Sequence, residues 1–184
     1  MRIIAGTHRG RPLKTPQTSD IRPTGDRVRQ ALFNALLHRG AVLDAVVLDA
    51  FCGTGALGLE ALSQGAHQAV FMDQAKTSLS LAEENARTLK EHGRSLFLLK
   101  DTTTIGPRPV SVPVATLVFL DPPYHKNLVP QAFKALFAGG WIAPEAWIVC
   151  ETEKGADLSG IPGEIDFEKT YGDTAVVVFA LSER

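Results

Sequence analysis

A chain of 184 residues falls within the usual span of one compact domain, and 45% hydrophobic with 21% charged residues excludes a disordered or fibrous protein. Two cysteines, Cys52 and Cys150, are too few for a disulfide framework and show no metal-ligand spacing, and no uncharged apolar run approaches the roughly 20 residues that span a bilayer. The net charge of −1 hides an asymmetry, since residues 1–39 hold eight Lys or Arg against Asp20 and Asp26, a balance of +6 that leaves −7 on the remainder.

The basic segment comes first in the chain. Residues 2–13, RIIAGTHRGRPL, read as two short extended runs around a Gly-Thr-His-Arg-Gly turn, a small basic hairpin. Arg2, Arg9 and Arg11 stand where a secretory signal would gather an apolar core, so a cytoplasmic protein without membrane contact is expected. A basic arm on an acidic body is the pattern of a face that meets a polyanion; the competing reading is a solvated extension. Pro16 and Pro23 make residues 14–23 a loop, after which Thr24 can cap a helix carrying Val28, Ala31, Leu32, Ala35 and Leu36 at helical spacing, to an end near Gly40.

From Val46 short apolar runs alternate with helical stretches. The series is VVLDAF, a helix over Ala56 to Gln64, AVFMD, a helix over Ala75 to His92, SLFLLKD, a Pro-rich loop from Pro107 to Pro113, ATLVFLD, a helix over Leu128 to Ala138, and AWIVCET. Strands this apolar are buried on both faces, and strict alternation with helices predicts a doubly wound, mostly parallel α/β sheet that binds ligands beyond its carboxyl ends. EIDFEKTY and TAVVVFAL, joined only by Gly172-Asp173, leave no room for a crossover helix and predict an antiparallel hairpin, with one strand running backwards. One domain over 1–184 is expected, with 1–40 as a basic extension and 41–184 as the α/β core.

In VVLDAFCGTGALGLEAL an apolar strand ends in Asp49 and is followed by Gly53, Thr54 and Gly55 opening a helix. Gly53, Gly55 and Gly58 fit the G-x-G-x-x-G spacing of dinucleotide sites, but a carboxylate four residues before the first glycine repels a pyrophosphate and attracts a cation such as the ammonium of a methionine moiety. Asp73 ends the second strand about 20 residues on, where an acid can accept both ribose hydroxyls; Asp101, with Thr102 beside it, ends the third and can meet an adenine amino group. Either acid can instead be a solvated strand-end carboxylate.

Asp121-Pro122-Pro123-Tyr124 ends the fourth strand and suits an exocyclic base amine, whose lone pair is delocalised into its ring. Asp121 and the Pro122 carbonyl can both accept from the NH₂ and align its lone pair, the prolines stiffen the loop, and Tyr124 can stack on the base. The bland reading is a Pro-Pro turn with a packed tyrosine. Cys52 has no partner base and reads as packing, Cys150 as core, and His125 as a solvated loop residue.

These residues together resemble the class I S-adenosylmethionine-dependent methyltransferases, and within them the RsmD-type 16S rRNA guanine-N2 methyltransferases. The resemblance covers nearly the whole chain and rests on RIIAGTHRGRPL, RPTGDRVRQALFN at 22–34, DAFCGTGALGLEAL, DPPY and the closing strand after Tyr171-Gly172. It implies a Rossmann-like sheet and S-adenosylmethionine as methyl donor, with no metal. Asp49, Phe51, Gly53 and Gly55 would form the cofactor loop, Asp73 would be the ribose acid, and Asp121 to Tyr124 the catalytic loop. It places Arg9, Arg11, Arg22, Arg27 and Arg29 in the RNA-facing region. The family commonly has Glu where Asp73 stands, one methylene longer. The implied partner is ribosomal RNA, either naked or inside a small-subunit assembly intermediate, and a monomer is the default. Competing readings are a DNA adenine-N6 or cytosine-N4 methyltransferase, for whose target-recognition domain there is little space; an rRNA-binding assembly factor without turnover; and a nicotinamide-dependent oxidoreductase, for which no hydride-transfer site is present.

Overall fold

The computed structural model describes residues 1–16, 25–123 and 127–182. Arg22, Thr24, Tyr124 and His125 lie outside these. Helix α1 spans Asp26–His38, followed by β1 (Val46–Asp49), α2 (Ala56–Ser63), β2 (Gln68–Asp73), α3 (Lys76–Leu89), β3 (Ser95–Leu99), β4 (Ala115–Leu120), α4 (Leu128–Ala138), β5 (Ile142–Glu153), β6 (Glu164–Tyr171) and β7 (Thr174–Ala180). The strands form one seven-stranded sheet in the order β3-β2-β1-β4-β5-β7-β6. Strands β1 to β5 pair in parallel, and β7 runs against both β5 and β6. The expected doubly wound sheet and its single reversed strand are both present.

The near-continuous apolar runs are explained by burial on both faces of the sheet. In β1, Val47 joins a core with Leu32, Phe33 and Leu36 of α1, Leu59 and Leu62 of α2 and Ala86 and Leu89 of α3, while its neighbour Leu48 points to a second core with Val129, Phe133 and Leu136 of α4. Phe33 meets Phe119 of β4 across the first core with ring centroids 5.8 Å apart. Each such side chain contributes roughly 1.5–3 kcal/mol through burial.

Helix α3 stops at Leu89, short of the expected end at His92. Lys90 turns into the left-handed region (φ 64°) and the Glu91 N–H closes the helix on the Ala86 carbonyl at 2.8 Å, a local C-cap that apolar periodicity does not reveal. The N-terminal segment forms the expected hairpin. Ile3 N–H bonds the Arg11 carbonyl at 3.0 Å and Leu13 N–H that of Met1 at 3.0 Å, around a 3₁₀ turn at Gly6–His8. It is no free extension, because Ile3 and Leu13 are buried and the strand lies on α2. The Ile4 and Ala5 N–H groups both donate to the Glu60 carboxylate, and His8 N–H donates to Ser63 Oγ. With the sheet on one side and the arm on the other, all eight residues of α2 are buried.

Candidate active site

Strand order reverses between β1 and β4, so the loops leaving their carboxyl ends diverge and open a crevice. On one side stands the loop after β1. Asp49 is 2% exposed, and its Oδ2 accepts the Gly58 N–H of α2 at 3.0 Å. Burial pushes its carboxyl up to about 7; the Gly58 hydrogen bond opposes the shift and the charge of Asp73 adds to it. A buried acid short of positive charge is a receptor for a cation.

Asp73, at the end of β2, ties this loop to the next one. Its Oδ2 accepts the Gly53 N–H at 3.0 Å and its Oδ1 the Ala75 N–H at 2.8 Å. An ionised carboxylate has about four lone-pair positions, so acceptor capacity remains on both oxygens. Gly55 has φ 78°, and a Cβ there would sit 3.1 Å from the Ala82 Cβ of α3. At Gly58 a Cβ would lie 2.4 Å from the Phe71 ring, so this glycine lets α2 close onto β2. Phe51 is partly buried against the second core.

At the end of β3, Thr102 is buried and its hydroxyl donates to the Ala50 carbonyl at 2.6 Å, so its side chain pins the β3 end to the β1 loop. Asp101 is exposed and caps its own turn, its Oδ1 accepting from the Thr103 N–H at 2.9 Å and the Thr103 hydroxyl at 2.7 Å.

Across the crevice Asp121 follows β4 directly. Leu120 pairs with Cys150 of β5, so Asp121 and Glu151 stand side by side one residue further on. Glu151 is 7% exposed. Burial, then the charges of Glu151 and Asp49, hold the Asp121 carboxyl well above the usual carboxylate range. Among the described residues no hydrogen-bond donor reaches that carboxylate. Sequence reasoning passed over Glu151; the available signal was an acid at the end of the apolar run AWIVCET, next to the strand that carries Asp121. Pro122 is buried and Pro123 exposed, and Tyr124 lies outside the described residues.

Cys52 is buried, and burial with the charges of Asp49 and Asp73 pushes its thiol well above the usual range, which suits packing and not nucleophilic attack. Among the described residues no His, Cys, Asp or Glu cluster is arranged to hold a metal ion, and no helix is long and apolar enough to cross a membrane.

The five arginines of the basic region separate. Arg9 and Arg27 are exposed, Arg11 is partly buried with its guanidinium on the Thr88 carbonyl, and Arg22 lies outside the described residues. Arg29 corrects the expectation. It is 1% exposed, donates to the Arg2 carbonyl and to Asp26 Oδ1 at 3.1 Å, and its Nε lies 3.8 Å from Glu60 Oε2. Its place on the inner face of α1 makes it a buried link between arm, α1 and α2 that no phosphate can reach.

Comparison with known proteins shows the family. The family model described as conserved hypothetical protein 95 matches residues 1–180. The chain belongs to this family, the RsmD family of class I methyltransferases. It is 39% identical to the ribosomal RNA small subunit methyltransferase D of Haemophilus influenzae, over 86% of this chain and 81% of that one. The protein of the same name from Escherichia coli K12 is 37% identical over 95% of this chain and 87% of its own. The solved structure of the Escherichia coli yhhF protein superposes with a TM-score of 0.82 at 33% identity, covering 100% of this chain and 99% of that chain.

Proposed function

We propose that this chain transfers the methyl group of S-adenosylmethionine to the exocyclic 2-amino group of a guanine in small-subunit ribosomal RNA, in the cytoplasm and as a monomer, on naked RNA or on a partly assembled subunit. The observation that carries the reading is the pairing, across the β1/β4 crevice, of a buried cation-seeking Asp49 with an Asp121-Pro122-Pro123 turn whose carboxyl has no donor among the described residues. The rRNA substrate is supported by the names of the Haemophilus influenzae and Escherichia coli relatives, and guanine N2 by the RsmD-type resemblance.

S-adenosylmethionine, when bound, supplies a methyl group on a positively charged sulfur. Asp49 would receive the ammonium of the methionine moiety, which is the positive charge its burial calls for, and Asp73 the ribose hydroxyls. Asp121 and the Pro122 carbonyl would accept the two amine hydrogens and turn the nitrogen lone pair toward the methyl. The methyl group would pass to the amine nitrogen with the electron pair of the broken S–C bond left on sulfur, and the nitrogen would become acidic. Asp121, with its raised proton affinity, is placed to take the proton. Arg9, Arg11, Arg22 and Arg27 would meet phosphates, giving salt-sensitive binding.

The test is to incubate the chain with isotopically labelled S-adenosylmethionine and unmodified 16S rRNA, naked and in subunits, and in parallel with unmethylated DNA, then digest to nucleosides and identify the labelled one by mass spectrometry. Label in 2-methylguanosine is expected. Label in 6-methyladenosine or a methylated cytosine of DNA overturns the substrate, and RNA binding without label overturns the enzyme.

A further inference from the structure

Helix α3 turns Ala82, Asn85, Ala86 and Leu89 inward, a stripe at helical spacing in which Asn85 is the one polar member. Its side chain is 1% exposed, where an unpartnered amide costs about 1–3 kcal/mol, yet its groups are matched to three backbone partners. Oδ1 accepts the Lys14 N–H at 2.8 Å, and Nδ2 donates to the Lys14 carbonyl at 3.0 Å and to the Thr54 carbonyl at 2.9 Å. The orientation of the amide follows from these partners, because only its oxygen can face an N–H and only its nitrogen two carbonyls.

Lys14 ends the basic arm and Thr54 is the centre of Gly53-Thr54-Gly55. One buried side chain therefore holds both the RNA-facing segment and the loop placed against the methyl donor. A second tie runs parallel to it: the Thr54 hydroxyl donates to Met1 Sδ at 3.6 Å, and the Met1 carbonyl accepts the Leu13 N–H. The arm's other anchors, Asp26 and Arg29 on α1, Glu60 and Ser63 on α2, Glu84 and Thr88 on α3, and Glu91, lie outside the loop. A pull on the arm is thus felt by the loop through Asn85 and Met1.

We infer that Asn85 is a positioning residue that couples the arm to the cofactor loop, so that RNA on the arm and a ligand on the loop raise each other's affinity. The inference rests on the reading that the arm meets RNA. Because such linkage is reciprocal, it is measured from either side.

The experiment is calorimetric titration of S-adenosylhomocysteine into the chain with and without saturating unmodified 16S rRNA, on variants checked by thermal melting. In the wild type the RNA is expected to tighten S-adenosylhomocysteine about five- to tenfold, within the usual range of coupling between sites. Asn85→Asp keeps an acceptor for the Lys14 N–H but loses the donors to the Lys14 and Thr54 carbonyls, and the tightening should fall to about twofold or less. Should that variant not fold, Lys14→Pro removes the N–H from the surface side of the joint and should lose the coupling too. Lys14→Ala, which keeps the N–H, should retain the coupling while weakening RNA binding. A merely structural Asn85 would lower the melting temperature and leave the ratio of the two affinities unchanged. Coupling that survives in both Asn85→Asp and Lys14→Pro overturns the inference, as does a wild type that binds the RNA with no change in S-adenosylhomocysteine affinity. The same titration is run with unmodified small subunits in place of the free RNA, and a wild type that binds neither removes the proposed function and this inference together.

Discussion

On the β1–β2 side of the crevice each carboxylate already holds backbone N–H groups, Asp49 that of Gly58 and Asp73 those of Gly53 and Ala75, whereas on the β4–β5 side Asp121 holds none among the described residues. The first side is held by the protein's own backbone groups, with its loop seated on α3 through Gly55 and Asn85. The second keeps a carboxyl beside Glu151 whose proton is retained above the ordinary carboxylate range. One side tied to backbone groups and, among the described residues, one carboxyl without a donor fit the proposed reaction, in which one ligand is held and the other is aligned only as it reacts.

The largest expected effect tests the acceptor side. Asp121→Ala should lower kcat by about 10²–10³-fold while S-adenosylhomocysteine affinity stays within about tenfold; wild-type turnover in this variant would remove the assigned role. Next comes the donor side, where Asp49→Asn should raise the Kd for S-adenosylhomocysteine on the order of 50-fold, the loss of a buried charge partner, as read by calorimetry.

The two sides also differ in pH response. The folded pKa of Asp49, about 7, lies above its ordinary value of 3.8, so the contribution of the neutral acid to stability is complete below about pH 4 and is lost as pH rises through about 7. Without ligand, Asp49→Asn should therefore gain thermal stability relative to wild type between pH 5 and pH 8, by at most a few kcal/mol. S-adenosylhomocysteine should bind wild type more tightly as pH rises through about 7, with proton release below it. Equal melting profiles of wild type and variant across that range would break the assignment.

Smaller changes sharpen the picture. Glu151→Gln removes a negative neighbour, so the Asp121 proton should leave at lower pH and the acidic limb of the kcat profile should move down, with cofactor affinity little altered. Thr102→Val should cost about 1 kcal/mol, from the lost bond to Ala50, and leave cofactor affinity within about threefold; a larger loss of affinity would restore the adenine contact expected from sequence.

Much of this architecture is legible in the chain itself. Apolar runs such as VVLD and ATLVFL, broken by helical stretches and Gly-rich turns, specify parallel strands buried on both faces, because periodicity reports how many faces of an element meet the core. The same logic places Asp49, Asp73 and Asp121 at strand ends, since a carboxylate closing an apolar run must leave the sheet where the run does. What each polar group does there depends on partners far away in the chain. Arg29 reads as one more cation of a basic arm, yet Glu60 and the Arg2 carbonyl make it a buried strut. Thr102 is taken up by Ala50, Glu151 gains its importance only from the β4–β5 register, and Asn85, unremarkable in a helix, joins two segments that lie 71 and 31 residues away. Backbone pattern is a local property and was fixed by the residues in order, whereas the pairing of buried polar groups is a long-range property that only the folded chain could decide.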